Sequence, residues 1–140
     1  MAMTEAMATV YDIWCGGLVP AADGSAAYAA LVVESASGMD HASVSGCATP
    51  GTRLGAELRA AADGLARTPG GCVAVLHVSN EFIASFAALE SDAEQVRRAD
   101  ADAWGRFLGE VRLREVRMVP FVPQGGMAAR IGSMAAAAMA

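Results

Sequence analysis

Apolar and polar positions alternate with a period of two through three successive stretches at the start of the chain, and then change to a helical period. Thr9–Cys15 (TVYDIWC) has the β-branched and aromatic density of a strand, with Tyr11, Ile13 and Cys15 on one face and Val10, Asp12 and Trp14 on the other. Gly16-Gly17 is expected to end it, and residues 18–25 (LVPAADGS) form a turn-rich connection. Ala26–Glu34 predicts a second strand, Ser35–Asp40 a hairpin turn and His41–Ala48 a weaker third strand. The natural arrangement of the three is an antiparallel meander.

From Pro50-Gly51-Thr52 the spacing becomes that of an amphipathic helix running to Ala66, with Leu54, Leu58, Ala61 and Leu65 along one stripe and Glu57 early on it. Thr68-Pro-Gly-Gly71 breaks this helix. The near-continuous apolar run Cys72–Val78 predicts a central strand covered on both faces. Ser79-Asn80 offers a cap for a short helix over 81–88. Residues 90–102 are polar and acidic and lead into a helix over 103–111, with Trp104, Phe107 and Leu108 on one side. Arg114–Val122 predicts a fifth strand, ended by Pro123-Gln-Gly-Gly126, and an Ala/Met-rich helix from Met127 to Met139 follows. Residues 1–7 read as a frayed tail and 8–140 as one domain; the 140 residues suffice for one core.

Composition narrows the function classes. The chain is 54% hydrophobic, much of that alanine, with mean hydropathy +0.36, yet no apolar run reaches the ~20 residues that span a bilayer. Glu5 and the lack of a basic segment before an apolar block argue against a signal peptide, so a cytoplasmic protein without a membrane role is expected. A net charge of −5 disfavours sequence-independent binding to phosphate backbones. The three cysteines, Cys15, Cys47 and Cys72, are widely spaced and match no zinc pattern; reduced thiols and no cofactor are expected. No GxGxxG, P-loop or GxSxG is present.

The order of elements, βββαβααβα, resembles that of type 1 ribonuclease H over residues 8–140. Several segments carry the likeness: YDIWCGG at the first strand, AAYAALV at the second, TRLGAELRAA on the first helix, VAVLHVSNEFI at the fourth strand, ADAWGRFLGEV on a later helix and VRMVPFVPQGG at the fifth strand. The resemblance implies an α/β ribonuclease H-like fold, a five-stranded mixed sheet of three antiparallel strands and then βααβα. It also implies cleavage of the RNA strand of RNA–DNA hybrids by two divalent metals held on four carboxylates. Two close hard cations need anionic oxygen ligands, which offset their repulsion.

Carried onto this chain, those carboxylate positions fall on Cys15, Glu57, Ser79 and Gly132, and the family's histidine near Gly125. Only Glu57 is acidic. No shift of register restores the others, because the chain has no Asp or Glu after Glu115 and none from Gly64 through Asn80. Glu81 lies two residues beyond Ser79. Asp12 is on the opposite strand face from Cys15, and Asp23 abuts the second strand, so both read as surface or turn acids. The resemblance therefore implies a catalytically inactive ribonuclease H-like protein serving as a structural or interaction module, with a non-cleaving binder of RNA, hybrid or other nucleic acid as the alternative.

Further candidates are weighed on residue chemistry. Cys15, His77 and Glu57 near one sheet edge would make a Cys/His nucleophile pair, though packing accounts for them more simply. Glu57 alone reads as a structural acid of the helix's first turn. Arg106, Arg112, Arg114 and Arg117 form the basic concentration able to touch a phosphate backbone; interleaved with Glu110 and Glu115, they read better as a solvated, salt-bridged face. The place of the family's basic substrate-gripping protrusion is here the net acidic 90–102. Finally, Met127, Ile131, Met134 and Ala138 make one apolar stripe on the last helix; part of it must cover the sheet edge, which can account for the whole stripe, and a homodimer or another protein partner is expected on it.

Overall fold

The computed structural model describes residues 9–17, 26–48, 53–91, 101–121 and 125–138. The expected N-terminal tail, the 18–25 connection with Asp23, most of the acidic segment and the 122–124 turn lie outside the described residues. The strands are β1 (Val10–Gly17), β2 (Ala26–Glu34), β3 (Asp40–Ala48), β4 (Val73–Val78) and β5 (Glu115–Pro120), and the helices α1 (Arg53–Ala66), α2 (Asn80–Ser91), α3 (Ala101–Val111) and α4 (Gly125–Ala138). They form a five-stranded mixed sheet in the order β3-β2-β1-β4-β5. The meander is antiparallel, whereas β4 joins β1 and β5 joins β4 in parallel, as expected when a helical crossover separates the strands.

Each sheet face has its own apolar cluster. Tyr11, Ile13, Cys15, Ala30, Val32, Ala74, Leu76 and Val78 point to the side where α1, α2 and α3 supply Leu58, Leu65, Phe82, Trp104 and Phe107. Ala27, Ala29 and Leu31 point to the other side and meet Ile131 and Ala135 of α4. The alternation expected along β1 holds: Tyr11, Ile13 and Cys15 are buried and the intervening residues half-buried. A fully buried leucine or isoleucine contributes on the order of 1.5–3 kcal/mol, so the larger cluster carries most of the stability.

Four boundaries depart from expectation for physical reasons. Gly16 and Gly17 extend β1 instead of ending it, because they still pair with Ala29 and Tyr28, and Gly16 leaves room for the Ile131 side chain. In β4 only Ala74, Leu76 and Val78 are buried, while Val73, Val75 and His77 are half-buried. The second face of β4 is thus only partly covered, since α4 packs over β2, β1 and β3. β5 begins at Glu115, because Arg114 is held in the turn after α3. β3 carries a bulge: Val33 pairs with Asp40 and Val32 with Ala42, leaving His41 out of the ladder and exposed. Its ring meets Tyr11 at 4.9 Å and its Nε2 lies 3.1 Å from the Arg67 carbonyl.

α1 approaches the sheet closely because small residues face it: Ala56, Ala60, Ala61 and Gly64 are all buried. A Cβ on Gly64 would sit 2.7 Å from Ile13 Cγ2 and 3.4 Å from Ala30 Cβ. Gly64→Ala gains about 1 kcal/mol of helix propensity but overpacks the contact at a cost of about 1–3 kcal/mol. Ile13 is fully buried and has nowhere to move, so the clash prevails. Urea unfolding is expected to show net destabilisation of about 1 kcal/mol; an unchanged or higher midpoint would mean that α1 is free to ride outward.

Candidate functional site

Parallel pairing of β1 with β4, in the register Trp14 opposite His77, brings the carboxyl ends of these strands side by side beneath α1. Cys15 points up from β1, fully buried, with Sγ 3.8 Å from the Ile13 carbonyl. Glu57, the fifth residue of α1, points down and is only 5% exposed. Ser79 follows the last residue of β4. Its backbone N–H donates to Glu57 Oε2 at 2.6 Å and its hydroxyl to Glu57 Oε1 at 2.6 Å. The same hydroxyl oxygen accepts the Phe82 N–H at 3.1 Å, making Ser79 the N-cap of α2.

Both oxygens of the buried carboxylate are thus engaged by one residue in charge-assisted bonds, which lets the charge stay out of bulk water. Burial, and then the negative charge of Glu57, push the Cys15 thiol well above its ordinary range. Cys15 is accordingly a neutral thiol, with neither the nucleophilicity nor the ligand strength of a thiolate.

Three of the four positions singled out in the sequence therefore meet: Cys15, Glu57 and Ser79. Gly132, the fourth, is half-buried on α4 next to Ile131, whose side chain lies over Gly16; a Cβ at Gly132 would meet nothing within 4 Å. Gly125 opens α4 with φ +78°, in the left-handed region. The expectation that Glu57 serves the first turn of its own helix is corrected: its oxygens reach across to the β4–α2 junction. The Cys/His pair is also excluded. His77 lies on the opposite sheet face from Cys15, stacked on Trp14 with ring centroids 3.6 Å apart, and its Nε2 lies 2.8 Å from Asp12 Oδ1. Asp12 in turn accepts the Ser35 hydroxyl at 2.6 Å. Strand parity separates His77 from Cys15, and the β1–β4 register, which the sequence alone does not specify, puts it beside Asp12.

The four arginines do not share a face. Arg106, on α3, is paired with Asp63 of α1. Arg112 is exposed in the turn after α3. The Arg114 side chain is 4% exposed and bonds inward: Nε to Thr68 Oγ1 at 2.7 Å, Nη2 to the Thr68 carbonyl at 2.7 Å, and Nη1 to the Glu110 carbonyl at 2.8 Å and Oε1 at 3.0 Å. Arg117 pairs with Glu115 at 2.6 Å on the surface of β5. The expected pairing with Glu110 and Glu115 is present, but Arg114 is a buried strut.

The α4 stripe also finds its place. Ile131 is buried against the sheet, with Met127 and Met134 half-buried beside it against Trp14 and Val33. Ala138 is half-buried at the end of the helix. The apolar stripe that motivated a homodimer thus covers the chain's own sheet, and the outer side of α4 presents Ala129, Arg130, Ser133, Ala136 and Ala137.

No protein-family model and no curated protein sequence matches the chain. Solved structures do. The N-terminal RNase H domain of rv2228c from Mycobacterium tuberculosis superposes with a TM-score of 0.69 at 14% identity, covering 94% of each chain. RNase H1 from the halophilic archaeon Halobacterium salinarum gives 0.68 at 16% identity, covering 93% of this chain and 97% of that one. LC11-RNase H1, solved in complex with an RNA/DNA hybrid, gives 0.62 at 14% identity, covering 91% and 95%. The chain therefore has the ribonuclease H-like fold, with the mixed sheet and flanking helices expected from its sequence.

Two outcomes are expected from this geometry. Ser79→Ala removes the α2 cap and a donor to the buried carboxylate, so it should destabilise by about 2–3 kcal/mol. In a double-mutant cycle with Glu57→Gln the two losses should fail to add by about 1 kcal/mol, whereas additivity would show that the contact carries little energy. Arg114→Ala should cost about 2–4 kcal/mol by removing the inward hydrogen bonds to Thr68 and Glu110, measured by chemical unfolding. A near-neutral effect would show that the arginine is not a strut.

Proposed function

We propose that this protein is a ribonuclease H-like fold without hydrolytic activity, used as a structural or protein-interaction module. The observation that carries this reading is the state of the Cys15–Glu57–Ser79 cluster. The donor set there does not fit a pair of divalent cations: it offers a single carboxylate, with both oxygens taken by Ser79, beside a neutral thiol and a serine hydroxyl. Magnesium-type ions need several hard anionic oxygens in open geometry. Among the described residues, no group of three or more His, Cys, Asp or Glu side chains is placed to hold a metal ion.

Non-cleaving contact with nucleic acid is the second reading, favoured by the hybrid bound to LC11-RNase H1. Against it stand the net charge of −5, the burial of Arg114 and the pairing of Arg106 and Arg117 with acids at the surface. A cytoplasmic location fits the composition, and no helix among the described residues is long and apolar enough to cross a membrane.

The test is an assay on an RNA–DNA hybrid with Mg²⁺ or Mn²⁺, with binding measured in parallel. No cleavage is expected, together with weak, salt-sensitive binding. Metal-dependent cleavage lost in Glu57→Gln would overturn the reading, and tight binding at physiological salt would favour the second. Restoring acids through Cys15→Asp, Ser79→Asp and Gly132→Asp should recover activity at most partially. Room exists at Gly132, but the first change buries a carboxylate beside Glu57, and the position corresponding to the family's histidine is also changed.

A further inference from the structure

The outer edge of β3 is the most unusual surface of this fold. Among the described residues β3 pairs only with β2, so alternate N–H and C=O groups along a nine-residue strand face outward. Edge strands are normally protected by proline, lysine, inward charge or short length. From Ala42 to Cys47 this strand has only small, uncharged side chains and no proline, and its bulge lies at one end.

A cleft of about 380 Å³ opens along that edge, lined by Ser43, Val44, Ser45, Asp63, Arg67 and Arg106. Its charge is set by a relay. The Tyr28 ring crosses the space where Gly46 lacks a Cβ, and its hydroxyl donates to Asp63 Oδ2 at 3.0 Å; the other oxygen of Asp63 pairs with Arg106. Burial and the Asp63 carboxylate together hold the Tyr28 phenol above its ordinary range, so it remains a donor. Asp63 is thereby neutralised, and Arg106 is anchored with 54% of its side chain still exposed. Arg67 stands beside it just past α1, exposed, its carbonyl engaged by His41 and its guanidinium without a partner among the described residues. The cleft therefore joins an open ladder of backbone groups to a net positive wall. It is distinct from the Cys15–Glu57–Ser79 cluster, since Arg67 is ten residues, about 15 Å of helix, beyond Glu57.

We propose that this cleft binds an extended acidic peptide segment of a partner protein, which adds to β3 as a sixth strand while its carboxylates meet Arg67 and Arg106. The ladder supplies affinity through main-chain hydrogen bonds and the guanidiniums supply selection for acidic side chains. Charge complementarity selects this occupant over the others. A second copy of the chain would bring its own β3, whose one acid, Asp40, is already paired with Arg130, and would leave Arg67 unmatched. A basic segment would be repelled. A nucleic-acid strand would satisfy the arginines but has no alternating amide donors and acceptors for the ladder. The proposal rests on the interaction role argued above, yet peptide titration and hybrid cleavage fail independently, because neither requires the other's residues.

The experiment is fluorescence anisotropy on the full chain with a labelled ten-residue peptide of alternating Glu and Val. Its comparators are the Lys-for-Glu counterpart, two versions N-methylated on alternate residues in opposite registers, and a single-stranded oligonucleotide of matched charge. The acidic peptide should bind at least about tenfold more tightly than its Lys counterpart. One N-methylated register should lose binding while the other retains it, and β3 amides should gain hydrogen-exchange protection. Arg67→Ala, which removes a guanidinium without a partner among the described residues, should weaken binding roughly three- to tenfold with unchanged thermal unfolding. Equal binding of the Lys peptide or the oligonucleotide, equal loss in both N-methylated registers, no saturation at millimolar peptide, or self-association blocking the edge would each overturn the proposal.

Discussion

The contact between Glu57 and Ser79 ties together three parts of this molecule: α1, the end of β4 and the start of α2. A carboxylate at 5% exposure is tolerable only if its oxygens are satisfied, and here one residue satisfies both. Because Ser79 also caps α2, the bond fixes where β4 ends, where α2 begins and how α1 crosses the sheet. The small residues of α1 allow this approach, and the parallel β1–β4 pair places Cys15 beneath it. The buried acid thereby acts as a structural fastener between α1 and the β4–α2 junction.

Much of the architecture was legible along the chain because its signals are local. The alternation Tyr11, Ile13, Cys15 marked the inner face of β1, Ala26–Glu34 matched β2 at both ends, and Leu58, Ala61 and Leu65 marked the inner side of α1. The misjudged boundaries depended on partners distant in sequence. Gly16-Gly17 looks like a strand terminator until β2 pairs with it, and Arg114 looks like the start of β5 until Thr68, 46 residues away, claims it. The site was partly legible in the same way. Cys15, Glu57 and Ser79 were placed by resemblance in segment order and do come together. Their mutual bonding, the stacking of His77 on Trp14 and the relay Tyr28–Asp63–Arg106 depend on register and helix rotation, for which no single segment carries a signal. The α4 stripe was read as apolar and in part sheet-covering; the close approach that Gly16 allows to Ile131 depends on register and carried no local signal.

Fold and sequence separate widely in this chain. At 14–16% identity to the superposed RNase H structures, the pattern of small, β-branched and aromatic positions suffices to reproduce the sheet order and its helices. Fold alone does not carry an activity, which resides in a handful of side chains placed on it. In this chain a neutral thiol, an engaged carboxylate and a capping serine stabilise the junction of β1, α1 and α2 by burial and hydrogen bonding.

The two margins of the sheet differ in kind. β5 is six residues long, carries the Glu115–Arg117 pair on its surface and finishes at Pro120, which has no N–H to offer. β3 is longer and carries no such obstruction between Ala42 and Cys47. A sheet with one open margin and one shortened and ended by proline has a direction: the backbone geometry favours strand addition at β3 over β5.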